Sequence, residues 1–259
     1  MHSFRVRSII ALAVAGAGYC GMSSQAGAVI AAVANLNNAS GPAATAGTTY
    51  NYTTEGTADY AFFGNSPTTP DHKAGTTSTL FSGLTAINGN DNSTTSFGGG
   101  GDAQSHVTFT DGTPTTSIAN SPLFAYANNP AVGAGESFTF TLDGASSDTL
   151  RVYAVTYDTR GTLTLTSGGN TLYTDADRAL PSPDGTNGGG HGYGLYTFNL
   201  SGPAGSVVTV AYTVSTDAGQ YSNVGFQGAT AASATPEPAS VGLLGLGALG
   251  LLARRRKTC

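Results

Sequence analysis

The 259 residues contain no tryptophan, only ten lysines and arginines together, and two cysteines, Cys20 and Cys259, placed near the two extremes of the chain. Each scarcity removes a class of function. Without a thiol between positions 20 and 259, the intervening segment holds no disulfide staple, cysteine nucleophile or zinc–thiolate centre. Without tryptophan it lacks the largest aromatic platform for stacking on a sugar ring. The basic residues are concentrated at the ends. Between residues 29 and 235, fourteen acidic side chains face only Lys73, Arg151, Arg160 and Arg178, a net charge of −10 where the whole chain carries −5. Such a body repels nucleic acid and anionic membrane, because both require clustered Lys and Arg. Long apolar runs are also missing: residues 9–17 and 241–253 both fall short of the ~20 residues that span a hydrocarbon core. There is no H-E-x-x-H, G-x-S-x-G or phosphate loop. Gly135-Glu136-Ser137-Phe138-Thr139 begins like a nucleophile elbow but lacks the closing glycine and reads on as a strand.

The two ends carry addresses. Arg5 and Arg7, the apolar run 9–17 and the small residues Ser24-Gln25-Ala26-Gly27-Ala28 form the three parts of a secretory signal peptide over residues 1–28, with cleavage expected after Ala28 or, alternatively, Ala26. Tyr19, directly before Cys20, is too bulky for a lipoprotein cleavage site. At the other end, Pro236-Glu237-Pro238 excludes a continuing helix and marks an extended entrance. A helix over 241–253 would then span about 20 Å, against ~30 Å of hydrocarbon. Its Gly242, Gly245, Gly247 and Gly250 soften it by ~1 kcal/mol each relative to alanine. Arg254, Arg255, Arg256 and Lys257 follow as a basic stop-transfer block left in the cytoplasm.

This ordered trio over residues 236–259 resembles the PEP-CTERM sorting domain. The resemblance implies an exosortase, a membrane-embedded transpeptidase-like enzyme, as processing partner. It also implies transient membrane insertion of the C-terminal helix before its removal, with a permanent single-span anchor as the alternative, and a Gram-negative host that makes exopolysaccharide or biofilm matrix.

Between the ends, period-two alternation predicts half-buried antiparallel strands. Phe138, Phe140 and Leu142 alternate with Ser137, Thr139 and Thr141; Leu163 and Leu165 alternate with Thr162, Thr164 and Thr166; Val208, Val210, Tyr212 and Val214 continue the pattern, as do Val107 and Phe109. Further strands are expected at residues 49–53, 58–63, 149–157, 193–200 and 223–227. Turn chemistry stands at Asp111-Gly112, Asp143-Gly144, Arg160-Gly161, Gly168-Gly169-Asn170 and Gly202-Pro203. Residues 150–157 are apolar on both faces, so this strand should be central, with its second face covered by a loop or hairpin. The fold class is therefore all-β, a two-layer antiparallel β-sandwich of jelly-roll type over residues 48–228, with short apolar helices at both termini and linkers at 29–47 and 229–235. A closed barrel is the alternative. Residues 65–103, rich in Thr, Ser, Asn and Gly, read as a long mobile loop or a pair of short edge strands. Ala58-Asp59-Tyr60-Ala61-Phe62-Phe63-Gly64, Phe109-Thr110-Asp111-Gly112-Thr113-Pro114 and Leu150-Arg151-Val152-Tyr153-Ala154 resemble the layout of galactose-binding-like sandwich domains.

Two groups of side chains offer ligand chemistry. Asp175 and Asp177, with Asp184 further on, present oxygens on adjacent loops as candidate calcium ligands; ordinary solvated turns are the competing reading. His191, in a glycine-rich loop beside Tyr193 and Tyr196, is a candidate for stacking and hydrogen bonding to a sugar. No catalytic set emerges. The leading expectation is a non-catalytic surface or extracellular-matrix protein associated with exopolysaccharide, biofilm or cell envelope, with a carbohydrate-binding module second and a secreted glycan-active enzyme third. The processing reading fixes a mass: the mature protein from its host should lack both terminal segments, and intact-mass spectrometry that finds Lys257 retained would overturn it.

Overall fold

The computed structural model describes residues 33–35, 48–76, 79–88, 92–95, 105–127, 131–144, 148–180, 191–217 and 222–233. In chain order these hold β1 (Val33–Asn35), β2 (Thr49–Asn51), the helical turn α1 (Tyr52–Glu55), β3 (Asp59–Phe62), β4 (Asp71–Lys73), β5 (Thr85–Ile87), β6 (Asn92–Thr95), β7 (His106–Phe109) and β8 (Gly112–Thr113). Then follow β9 (Ile118–Ser121), β10 (Phe124–Ala127), β11 (Gly135–Thr141), β12 (Asp148–Tyr157), β13 (Thr159–Ser167), β14 (Asn170–Arg178), β15 (His191–Leu200), β16 (Val207–Asp217) and β17 (Asn223–Ser233).

The last eight strands divide between two sheets, with β13 and β14 a hairpin within one of them. One contains β10, β17, β12 and β15 side by side, and the other β11, β16, β13 and β14, every pairing antiparallel. That order is the jelly roll expected from the sequence, two interlocked Greek keys. The N-terminal strands are additions to it. β3, β4 and β8 extend the first sheet beyond β17, β6 pairs with β10, β5 pairs with β11, and β1 flanks β15. Of the two readings of 65–103, a long loop or a pair of short edge strands, the described part holds short strands: β5 and β6 each at an edge, and β4 between β3 and β8.

Alternation places the core. From one sheet Leu150, Val152, Ala154, Phe198, Phe226 and Ala229 point inward, and from the other Phe138, Phe140, Leu163, Leu165, Val208 and Val210 meet them. Phe226 is fully buried against Phe138 (ring centroids 5.2 Å, edge-on), Tyr212 (5.9 Å) and Phe63 (6.5 Å). The second face of β12 is covered as its two-sided apolar pattern required. There Tyr153 packs with Tyr52, Tyr60, Phe62, Val107 and Phe109, supplied by α1, β3 and β7, with β2, β7 and β9 forming a third small sheet.

Several boundaries differ from expectation for physical reasons. Residues 52–53 belong to α1, because the Asn51 side chain accepts from the Thr54 N–H and caps the turn. Arg160-Gly161 lies within β13, not in a turn; the turn is at Asp158, whose φ is +47°. Gly161 is there for space, since a Cβ would stand 2.3 Å from the Tyr212 ring. The expected linker 229–235 is strand through Ser233, with Ala229, Thr230 and Ala231 buried. Its small residues suit a crowded central strand: at Gly228 a Cβ would meet the Tyr52 ring at 2.6 Å. Within the expected linker 29–47, Val33–Asn35 pairs with β15. The terminal apolar helices lie outside the described residues.

On β11 one inward position is not apolar. Glu136, between Gly135 and Ser137 on β11, is fully buried, and neither carboxyl oxygen has a hydrogen-bond partner among the described residues. Desolvation raises its pKa well above the ordinary 4.5. A carboxyl whose pKa is raised in the folded state costs no stability below its unfolded pKa and costs progressively more as pH rises from there toward the folded value. Glu136→Gln should therefore melt increasingly above the wild type as pH rises from about 4.5, and a melting difference independent of pH would contradict this. Phe226→Ala should cost about 3–5 kcal/mol in urea unfolding, with Phe226→Leu well under half of that.

Candidate functional site

The most elaborate polar arrangement joins the two sheets at β14. Asp175 lies in register with Leu163, Leu163 with Tyr212, and Tyr212 with Glu136, so an acid, a phenol and a second acid occupy one inward row of the five-stranded sheet. Asp175 is 8% exposed and accepts two bonds from Arg178 Nε, at 3.0 and 2.8 Å. It also accepts from the hydroxyl of Tyr196, which reaches across from β15 in the facing sheet, at 3.1 Å. Burial raises the pKa of both phenols, helped by Tyr212 and then Asp175 at Tyr196 and by Asp175 at Tyr212, so both stay neutral. A buried carboxylate held by a guanidinium and a phenol is a tie between layers; breaking such a pair costs more than its presence adds.

The strand bulges just beyond this tie. Three residues on β13, Gly161 to Leu163, oppose four on β14, Asp175 to Arg178, and Asp177 takes a left-handed φ of +51°. That turns the Asp177 carboxylate outward onto β16 and β13. Its Oδ1 accepts from Thr216 Oγ1 (2.8 Å) and Ser215 Oγ (2.9 Å), and its Oδ2 pairs with Arg160 at 3.3 Å. Those hydroxyls first, and Arg160 after them, hold its pKa below the usual carboxylate value. Arg160, Ala176, Asp177, Arg178 and Ala179 line an open pocket of about 420 Å³.

The sequence-derived ligand candidates meet different fates. Asp175 and Asp177 are on a strand, not on loops, one facing in and one out. Each is bound to its own arginine, so the place a calcium ion would take is filled by a guanidinium; no group of three His, Cys, Asp or Glu side chains is arranged for a metal among the described residues. Tyr193 and Tyr196 are 2% and 0% exposed and lie on opposite faces of β15, Tyr193 packed on Phe124 and Val155. They cannot form a stacking platform. His191 pairs through its backbone with Tyr157, while its side chain, Asp184, Ala26, Ala28, Pro236, Glu237, Pro238, Arg254, Arg255, Arg256 and Lys257 lie outside what is described.

Sequence reasoning missed a second polar knot, at β3 and β4. Fully buried Asp59 accepts backbone N–H bonds from Tyr60 (2.8 Å), Lys73 (3.2 Å) and Leu80 (2.7 Å), with His72 Nδ1 3.6 Å away. Asp71 accepts from Asn65 and the Thr115 N–H. Asp111 receives Thr53 Oγ1 (2.6 Å), Tyr60 Oη (3.2 Å) and Lys73 Nζ (2.8 Å). Partial burial pushes the Asp111 pKa up, but the bonds from Lys73 and Thr53 outweigh it and the net shift is downward. These acids saturate backbone and side-chain donors, leaving little capacity for a reacting group. Nothing local in Asp59-Tyr60 signals it, because two of the backbone partners of Asp59 come from residues 14 and 21 positions away.

No curated protein matches this chain. Among solved structures, the enzymatically active domain of tailspike protein 4 from bacteriophage CBA120 aligns at 15% identity and a TM-score of 0.33, over 60% of this chain and 19% of that one. An apo-form cyclase from Fischerella sp. aligns at 12% identity and a TM-score of 0.35, over 60% of this chain and 85% of that one. Likeness of that degree between β-rich proteins says nothing of activity. The C-terminus is different: residues 234–257 match the PEP-CTERM protein-sorting motif, taking in Pro236-Glu237-Pro238, the apolar run and the basic cluster through Lys257, so this chain ends in a PEP-CTERM sorting signal.

Proposed function

We propose that the protein is an exported, non-catalytic surface protein of a Gram-negative bacterium, released by an exosortase from a transiently membrane-inserted precursor and built into the exopolysaccharide-rich matrix or envelope. The sorting motif at residues 234–257 carries this reading. The body of the protein is in keeping with it. Asp59, Asp71, Asp111, Asp175 and Asp177 are all engaged by internal donors, and the ligand-candidate tyrosines are buried. A net charge of −10 between residues 29 and 235 suits a soluble matrix component that resists non-specific adhesion to anionic polymers. The pocket beside Arg160 and Arg178 favours one second reading, carbohydrate binding, since its volume of about 420 Å³ suits a small ligand.

Two measurements test these readings. Deleting residues 234–259 in the host should abolish surface display and leave the protein in the periplasm or medium. On a glycan array, the purified mature protein should bind no isolated glycan with a Kd tighter than about 1 mM, a free energy near −4 kcal/mol. Specific binding lost in Arg178→Ala would replace the first reading with the second.

A further inference from the structure

The last strand stays in the sheet to its end. Ser233 is in register with Asp148 and its hydroxyl donates to the Asp143 carboxylate, while the Asp143 N–H donates to Asp148 Oδ2 at 3.4 Å. The sorting motif begins at the next residue, so only Ala234 and Thr235 separate the sheet from Pro236. Three residue steps reach at most about 11 Å, and the eight from Ser233 to Val241, where the apolar run starts, at most about 28 Å.

Other segments converge on the same end of the sandwich. β15 finishes there at Leu200, opposite Asp148. β11 leads there into Leu142, whose carbonyl accepts from the Gly205 N–H at 2.9 Å and whose N–H donates to Ser206. Exposed Ala204 sits in that turn against Gly144. The N-terminal strand enters beside them, Val33 opposite Leu200, five positions after the expected cleavage site at Ala28. The opposite end is marked by Tyr157 against His191 and Asn223, by Thr159 against Asp217, and by Val132, 61% exposed and next to Gly133, whose N–H donates to Val214. With strands of ten and eleven residues between them, the two ends are about 30 Å apart.

We infer that the end bearing Leu142, Asp143, Asp148, Ala204 and Ser233 is the membrane-facing surface of the anchored precursor, and that the Val132 end points away from the bilayer. This rests on the proposed insertion of the C-terminal helix. Proximity is imposed by the tether, so no attraction between the carboxylates and lipid is required. The arrangement also lets the folded body form while both terminal segments are still engaged at the membrane, because both leave from one end. Both positions chosen below are exposed, which spares the core.

The full chain carrying Cys20→Ser and Cys259→Ser, plus either Ala204→Cys or Val132→Cys, is labelled with a donor fluorophore. It is reconstituted into phosphatidylethanolamine–phosphatidylglycerol vesicles containing a rhodamine-headgroup lipid. Energy transfer from position 204 should exceed that from position 132 severalfold. Equal transfer, or stronger transfer from 132, overturns the orientation. Flotation of the same samples reads the insertion separately: protein that floats with equal transfer refutes only the orientation, whereas protein that does not float refutes insertion and orientation together.

Discussion

Every layer of this protein leans on the pairing of β12 with β17 at the centre of the larger sheet. The two strands run antiparallel from Asp148–Ser233 to Tyr157–Asn223, interrupted once by a bulge between Tyr153 and Ala154. That one irregularity sets Gln227 apart from the ladder. Its fully buried amide accepts from Ser105 Oγ and donates to the Ser105 carbonyl, both at 3.0 Å. The bulge therefore does more than bend a strand; it pins the segment leading into β7. Beyond it the other edge of β17 is shared, with β10 pairing at Gly225 and Phe226 and β3 at residues 228–231. Because β12 and β17 are covered on both faces, a polar side chain at an inward position must bring its own partner or remain neutral.

The buried polar residues divide along that line. Asp59, Asp71 and Asp175 are surrounded by donors and act as joints between segments distant in sequence. Glu136 and the Tyr212 hydroxyl have no such partners among the described residues. Asp148 is intermediate: its Oδ1 has no hydrogen-bond partner among the described residues, and burial together with Asp143 lifts its pKa to about 6.

The sequence was most readable where one principle acted alone. Alternation located β11, β13, β16 and the two-sided β12, and this was enough for the jelly roll. β14 escaped because its inward position is Asp175 rather than an aliphatic residue, which breaks the apolar period; the Gly168-Gly169 pair, with φ of +55° and +81° between Ser167 and Asn170, announced a two-residue hairpin and hence a second strand. The end of β17 reads as a linker because Ala-Thr-Ala-Ala-Ser has no bulk, yet bulk is what that position cannot hold. The short strands β4, β6 and β8 depend on neighbours for their pairing and have little pattern of their own. The site candidates fared worse, since exposure of a tyrosine or the aim of a carboxylate depends on which face of which strand it occupies. The sorting signal, by contrast, needs only order and spacing along the chain.

The position of β17 also bears on timing. It is the last strand before the sorting signal, yet it occupies the middle of the sheet, paired with β3 about 170 positions earlier. Pairings of such sequence separation close slowly, and no partial chain can supply the central strand. The sandwich cannot be completed until residue 233 has emerged. A chain delivered from its N-terminus therefore cannot close its larger sheet until residue 233 has arrived, when only the sorting signal at 234–257 remains to follow.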